Sequence, residues 1–126
     1  MALVYFYRPR GESFGYDRTY FLGVNGQIVT DLLHGGYFPY ETALRSLSLV
    51  SDLNRSVRTY VAGTLFALPT TPEAARLEFQ LEAGKTYYVR MRPQAGALNF
   101  TPHLTLVPKE VAEKEIADCK LLASRM

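Results

Sequence analysis

Hydrophobic positions in this chain recur mostly at every second residue, and that period sorts most of it into strands. The cleanest alternation covers residues 76–92. Leu77, Phe79 and Leu81 point one way while Arg76, Glu78, Gln80 and Glu82 point the other; Tyr87, Val89 and Met91 then alternate with Tyr88, Arg90 and Arg92. Glu82-Ala83-Gly84 separates the two halves, and an odd-length loop keeps them in phase, with Gly84 in the left-handed position. The pattern predicts a β-hairpin laid over a core, with Phe79 facing Tyr87, Leu77 facing Val89 and Arg90 facing Glu78 or its neighbours across it.

The rest of the chain divides by the same test. Residues 2–8 are apolar on both faces, with Leu3, Tyr5 and Tyr7 opposite Val4 and Phe6, which predicts a strand central in a sheet. Residues 9–17 read as a loop. Residues 19–24 and 27–32 flank Asn25-Gly26, the pair that most readily forms a type I′ turn, so a second hairpin is expected there. His34-Gly35-Gly36 breaks the chain before a short strand at 37–42. Residues 43–54 fit a strand (Leu47 and Leu49 against Ser46 and Ser48) and also a helical stripe (Ala43, Leu44, Leu47, Val50); strand is favoured. Residues 57–66 read as a strand with Gly63 a bulge, and 68–75 as a loop. In residues 100–106, Phe100, Pro102, Leu104 and Leu106 alternate with Thr101, His103 and Thr105, and Pro102 places that strand at a sheet edge, open to addition of a partner's strand.

The period changes after Pro108. Ala112, Ile116, Cys119 and Ala123 fall at helical steps, so residues 108–125 read as a helix. Strands followed by one helix predict a mainly β fold: an antiparallel β-sandwich or open barrel with one C-terminal α-helix. A single domain over residues 1–126 is expected, with 1–107 the sandwich and 108–126 the helical segment packed on it.

Composition narrows the classes little further. The chain has 126 residues and a formal charge of +2, too small to imply nucleic acid or an anionic membrane. Nine Tyr and seven Phe with no Trp suit a sheet-rich core. Cys119 is the only cysteine, which rules out an intrachain disulfide and a cysteine-based zinc site. The opening residues do not read as a signal peptide, so either the protein is cytosolic or Met1 is not its native start, and any membrane association is expected only through an anchor outside this sequence.

Three stretches together resemble a known family. Residues 2–9 (ALVYFYRP), Val24-Asn25-Gly26 with residues 32–37 (LLHGGY), and residues 82–90 (EAGKTYYVR) look like domain-of-unknown-function family 2846, and the chain is also similar to the PEGA type of small β-sandwich module. One departure is Glu41-Thr42-Ala43-Leu44-Arg45, where such domains usually carry a Pro-Gly turn. The resemblance implies a small bacterial envelope protein, periplasmic or anchored by an N-terminal lipid, and it brings no catalytic residues.

Several motifs bear on chemistry. Gly11-Glu12-Ser13-Phe14-Gly15 matches a nucleophile elbow, with Asp52 and His103 following in hydrolase order, but the helix that an elbow needs is not expected after it. His34 and His103, with Asp17, Asp31 or Glu41, are thin material for a metal site. Cys119 on the apolar helical stripe reads as a buried, inert thiol. Arg8, Arg10 and Arg18 near Phe14 and Tyr16, and Arg90 and Arg92 near Tyr88, interleave cations with rings, yet the RNA-recognition octamer pattern fails after Arg10-Gly11. Asn54-Arg55-Ser56 and Asn99-Phe100-Thr101 match a glycosylation pattern that chance also produces. Candidate binding residues are therefore Arg8 and the tyrosines expected to be exposed, Tyr16, Tyr37, Tyr40 and Tyr88. The expected function is a non-catalytic envelope module that recognises a protein or glycan partner, with no cofactor, metal or nucleic acid; the alternative is a small enzyme or metal-binding protein using His34 and His103.

Overall fold

The structure, a computed structural model, describes residues 1–11, 18–53, 60–61, 64–65, 74–95 and 100–126. In chain order its elements are β1 (Ala2–Arg8), β2 (Tyr20–Val24), β3 (Gln27–Leu32), β4 (Gly36–Thr42), β5 (Ser46–Leu53), β6 (Tyr60–Val61), β7 (Thr64–Leu65), β8 (Ala75–Gln80), β9 (Thr86–Ala95), β10 (Phe100–Leu106), α1 (Lys109–Ile116) and β11 (Lys120–Leu121). One sheet runs β10-β9-β1-β4-β11 and a second runs β3-β2-β5-β8, with β6 and β7 paired separately. The fold is a β-sandwich and not a closed barrel.

Strand β1 is central, as its two apolar faces predict: it pairs antiparallel with β4 and parallel with β9. Val4, Phe6, Val89 and Met91 of the first sheet pack against Tyr20, Leu22, Leu47 and Leu49 of the second. Each such side chain, at 1% exposure or less, is worth about 1.5–3 kcal/mol of burial. Phe21, Ile28 and Val50 form a smaller cluster on the opposite face of the second sheet, so that sheet too is apolar on both sides.

The Asn25-Gly26 turn forms as expected, with φ of 49° and 86°. Asn25 also fastens β5, accepting from the Ser48 amide at 2.8 Å through Oδ1 and donating its own amide to the Ser48 carbonyl at 2.9 Å. Residues 46–53 take the strand alternative, and β10 with Pro102 lies at an edge. Of the strand expected at 57–66, the described parts are β6 and β7; Gly63 lies outside the described residues.

Two expectations need correction. Residues 76–92 are not a hairpin. Strand β8 pairs with β5 in the second sheet, whereas β9 pairs with β1 and β10 in the first, so residues 81–85 cross between layers. Phe79 still meets Tyr87, with ring centroids 5.7 Å apart, but across the sandwich. Backbone bonds to other segments hold the crossing: the Leu81 amide donates to Arg45, Gly84 to Met1, and Leu3 to Lys85.

The helix is also shorter than expected, ending at Ile116. Residues 117–126 instead run along the sandwich margin as a strap. The amides of Lys120 and Leu122 donate to the carbonyls of Gly35 and Tyr37, and the Arg125 amide donates to Val29. Thr30, fully buried, donates its hydroxyl to the Ala123 carbonyl at 2.7 Å, and Arg125 pairs with Asp31 at 3.0 Å. The strap thus joins β4, an edge of one sheet, to β3, an edge of the other. Two open edges offer unpaired backbone groups, and these outcompete the helical bonds that residues 117–125 would make alone.

Candidate functional site

Alternation along β1 and β9 sends Tyr5, Tyr7, Tyr88, Arg90 and Arg92 to the face of the first sheet away from the core, and α1 lies over part of that face. Ala112 and Ile116 pack there with Tyr7, Tyr88 and Val107. The turn of helix that buries Ala112 also brings down Glu115, three residues on. The Glu115 carboxylate accepts the Tyr7 hydroxyl at 2.7 Å, Arg90 at 3.0 Å and Arg92 at 3.0 Å.

Four ionisable side chains thus meet at one carboxylate. Burial pushes the Glu115 carboxyl up, but the Tyr7 hydroxyl and the Arg90 and Arg92 guanidinium groups outweigh it and hold the group below its ordinary value. Burial, and donation to Glu115, push the Tyr7 phenol well above its ordinary range. Near neutral pH the carboxylate is thus held ionised and the phenol neutral. What the arrangement does is fasten α1: one carboxylate gathers three donors from two strands.

The binding candidates are distributed differently from expectation. Arg8 is fully buried, not a surface group: it donates to the carbonyls of Arg18 at 2.6 Å and Leu32 at 2.9 Å, and its guanidinium carbon lies 5.3 Å from the Tyr20 ring centroid. The Arg is tolerated inside because carbonyls and an aromatic face replace its water. Tyr88, expected to be exposed, is 9% exposed under α1. Its ring stacks on Tyr5 at 5.5 Å and 13°, and Tyr37 flanks Tyr5 at 6.4 Å. Parallel rings on neighbouring strands stand face to face, so they turn edges rather than flat faces outward, unlike a sugar-stacking platform. Tyr40 is half-buried against the core near Phe6, at 6.1 Å. Tyr16 lies outside the described residues, as do Ser13, Phe14, Asp17, Asn54 and Asn99.

The other motifs do not converge. Asp52 is buried on the far side of the second sheet, in register with Phe21, while His103 is exposed on the outer face of β10 in the first sheet; the two stand on opposite faces of the sandwich. His34 sits in the β3–β4 turn and His103 at the other edge of the five-stranded sheet, with β9 and β1 between. Asp31 is taken up by Arg125. Among the described residues no group of three or more His, Cys, Asp and Glu side chains is placed to hold a metal ion. Burial raises the Cys119 thiol, which lies 3.4 Å from the Glu115 carbonyl. Arg90 pairs with Glu115 and not with Glu78, because β8 and β9 lie in different sheets.

Glu115 is the residue that sequence reading missed. Its signal was an acid set within the helical stripe, at i+3 from Ala112 and i−4 from Cys119, where an apolar face would not ordinarily carry a charge.

No family model matches the chain, and no curated protein and no solved structure matches it.

Proposed function

We propose that this chain is a non-catalytic β-sandwich module of the bacterial envelope, a binding or structural unit that meets a protein or glycan partner through its surface. The observation that supports this reading is the closure of the Glu115 cluster: its four side chains bond one another and α1 to the sheet. A group tied in this way contributes to the fold and is poorly placed to turn over a substrate. The envelope assignment rests on the resemblance of residues 2–9, 24–26 with 32–37, and 82–90 to family 2846. Met1 is 71% exposed, so a preceding segment would run into solvent without disturbing β1. No described helix is long and apolar enough to cross a membrane, so this reading places attachment in a lipidated cysteine upstream.

The test is the mass and cell-fraction location of the product of the native, full-length gene. A diacylated species in the membrane fraction supports the reading. An unmodified product in the cytosolic fraction contradicts it.

A further inference from the structure

We infer that β10 is a self-pairing edge, at which a second copy of this chain adds antiparallel to continue the five-stranded sheet into a ten-stranded one across a twofold axis at Thr105. The two margins of the sandwich differ. The strap of residues 117–126 covers the β4 and β3 edges, whereas among the described residues β10 has no partner on its outer side.

The ladder identifies which groups are offered. The Val107 amide donates to Tyr88, and β10 runs antiparallel to β9 with Leu106 opposite Val89 and Leu104 opposite Met91. In an antiparallel ladder bonded and non-bonded pairs alternate, so Thr105 and His103 bond inward and Leu104 and Leu106 turn both N–H and C=O outward. Pro102, opposite Pro93, also falls at an outward position; its missing N–H removes no bond to β9. Pro108 stands at the next outward position after Leu106. Two prolines therefore bracket a window with exactly two complete donor–acceptor pairs.

That window is self-complementary. With the axis at Thr105, Leu104 meets Leu106 of the second copy and Leu106 meets its Leu104, giving four backbone hydrogen bonds with none missing, while Pro102 faces Pro108 just outside. Moving the axis to Leu104 or Leu106 sets a proline opposite a leucine and leaves that leucine carbonyl without its donor. The side chains agree: Leu106, 43% exposed in the single chain, comes beside Leu104 of the second copy, and Thr105 meets Thr105. Residues 103–107 carry no Lys, Arg, Asp or Glu, the charges that commonly guard an edge, so like charges do not oppose the pairing.

Sedimentation equilibrium over a concentration series tests this on the whole chain, with Leu106→Pro as the decisive variant. Proline at 106 sits where β10 makes no bond to β9, as Pro102 does, and it removes two of the four intermolecular bonds. The expected result is a dimer that grows with concentration in wild type and is lost in Leu106→Pro, with circular dichroism unchanged. Should that variant unfold, Thr105→Cys and His103→Cys in a Cys119→Ser background decide. Facing Cα atoms at a non-bonded pair lie about 4.5 Å apart, within disulfide reach, whereas residues 103 of the two copies do not face one another. Rapid oxidative cross-linking of Thr105→Cys but not of His103→Cys supports the pairing. A wild type that stays monomeric throughout the series, or equal cross-linking at both positions, overturns it and leaves the β10 edge to a foreign strand or to none.

Discussion

Replacing Glu115 by Ala strands its three donors unequally, and the inequality can be measured. Tyr7 is fully buried, so its hydroxyl loses an acceptor that water does not readily replace, at a cost of about 1–3 kcal/mol. The Arg90 and Arg92 side chains are 28% and 42% exposed and rehydrate, so each of those pairs contributes only about 0.2–1 kcal/mol. Glu115→Ala is therefore expected to cost about 2–3 kcal/mol, with the larger share in Tyr7. Tyr7→Phe alone should cost about 1 kcal/mol, but in the Glu115→Ala background it removes a stranded hydroxyl and should be neutral or stabilising. Urea unfolding of the four proteins closes the cycle, with an expected coupling energy of about 1–2 kcal/mol. Equal cost of Tyr7→Phe in both backgrounds, or a loss below about 0.5 kcal/mol for Glu115→Ala, would refute the view that this cluster fastens α1.

Other expectations follow from the same contacts. Glu115 has its folded-state value below 4.5, so its stabilisation is complete above that pH and is lost as pH falls through the lower folded value; unfolding free energies from about pH 6 to about pH 3 should show this limb, flattened in Glu115→Gln. Tyr7, raised above 10.0, adds a second limb: the unfolded chain ionises it first, so stability should decline as pH rises past that value, and Tyr7→Phe should make the decline shallower, leaving the part that Tyr88, also raised by burial, contributes. A Cβ at Gly36 would fall on the Leu122 side chain, so Gly36→Ala should cost about 1–3 kcal/mol in thermal unfolding and loosen the strap; a change within experimental error would show that Leu122 yields freely. Cys119 should react with a thiol reagent about tenfold or more slowly than a free cysteine while folded, and faster in Glu115→Ala.

Much of the fold was legible because local pattern and tertiary role coincided. The doubly apolar β1 could only be central, Asn25-Gly26 could hardly be other than a tight turn, and Pro102 marked an edge by the bond it cannot make. The crossing at residues 81–85 was illegible for a definite reason. Two alternating strands joined by an odd loop bring Phe79 to Tyr87 whether they share a sheet or face one another across a core; what differs is the direction of their backbone bonds, which the partners β5 and β1 decide. The strap was hidden similarly. Ala112, Ile116, Cys119 and Ala123 keep helical spacing throughout, and only the open carbonyls of Gly35, Tyr37 and Val29 end the helix at Ile116. With the hairpin misassigned, Arg90 was given the wrong acid, and Glu115 passed unnoticed within an apolar stripe.

The ionisable cluster and the strap together form one closure of the sandwich. Residue-resolved amide hydrogen exchange of the wild-type chain tests it most directly. The amides of Lys120, Leu122 and Arg125, each donating to a β3–β4 carbonyl, should exchange only with openings close in free energy to global unfolding, and should lose much of that protection in Glu115→Ala. Exchange of these three at the rate of an unstructured peptide, or protection untouched by Glu115→Ala, would contradict it.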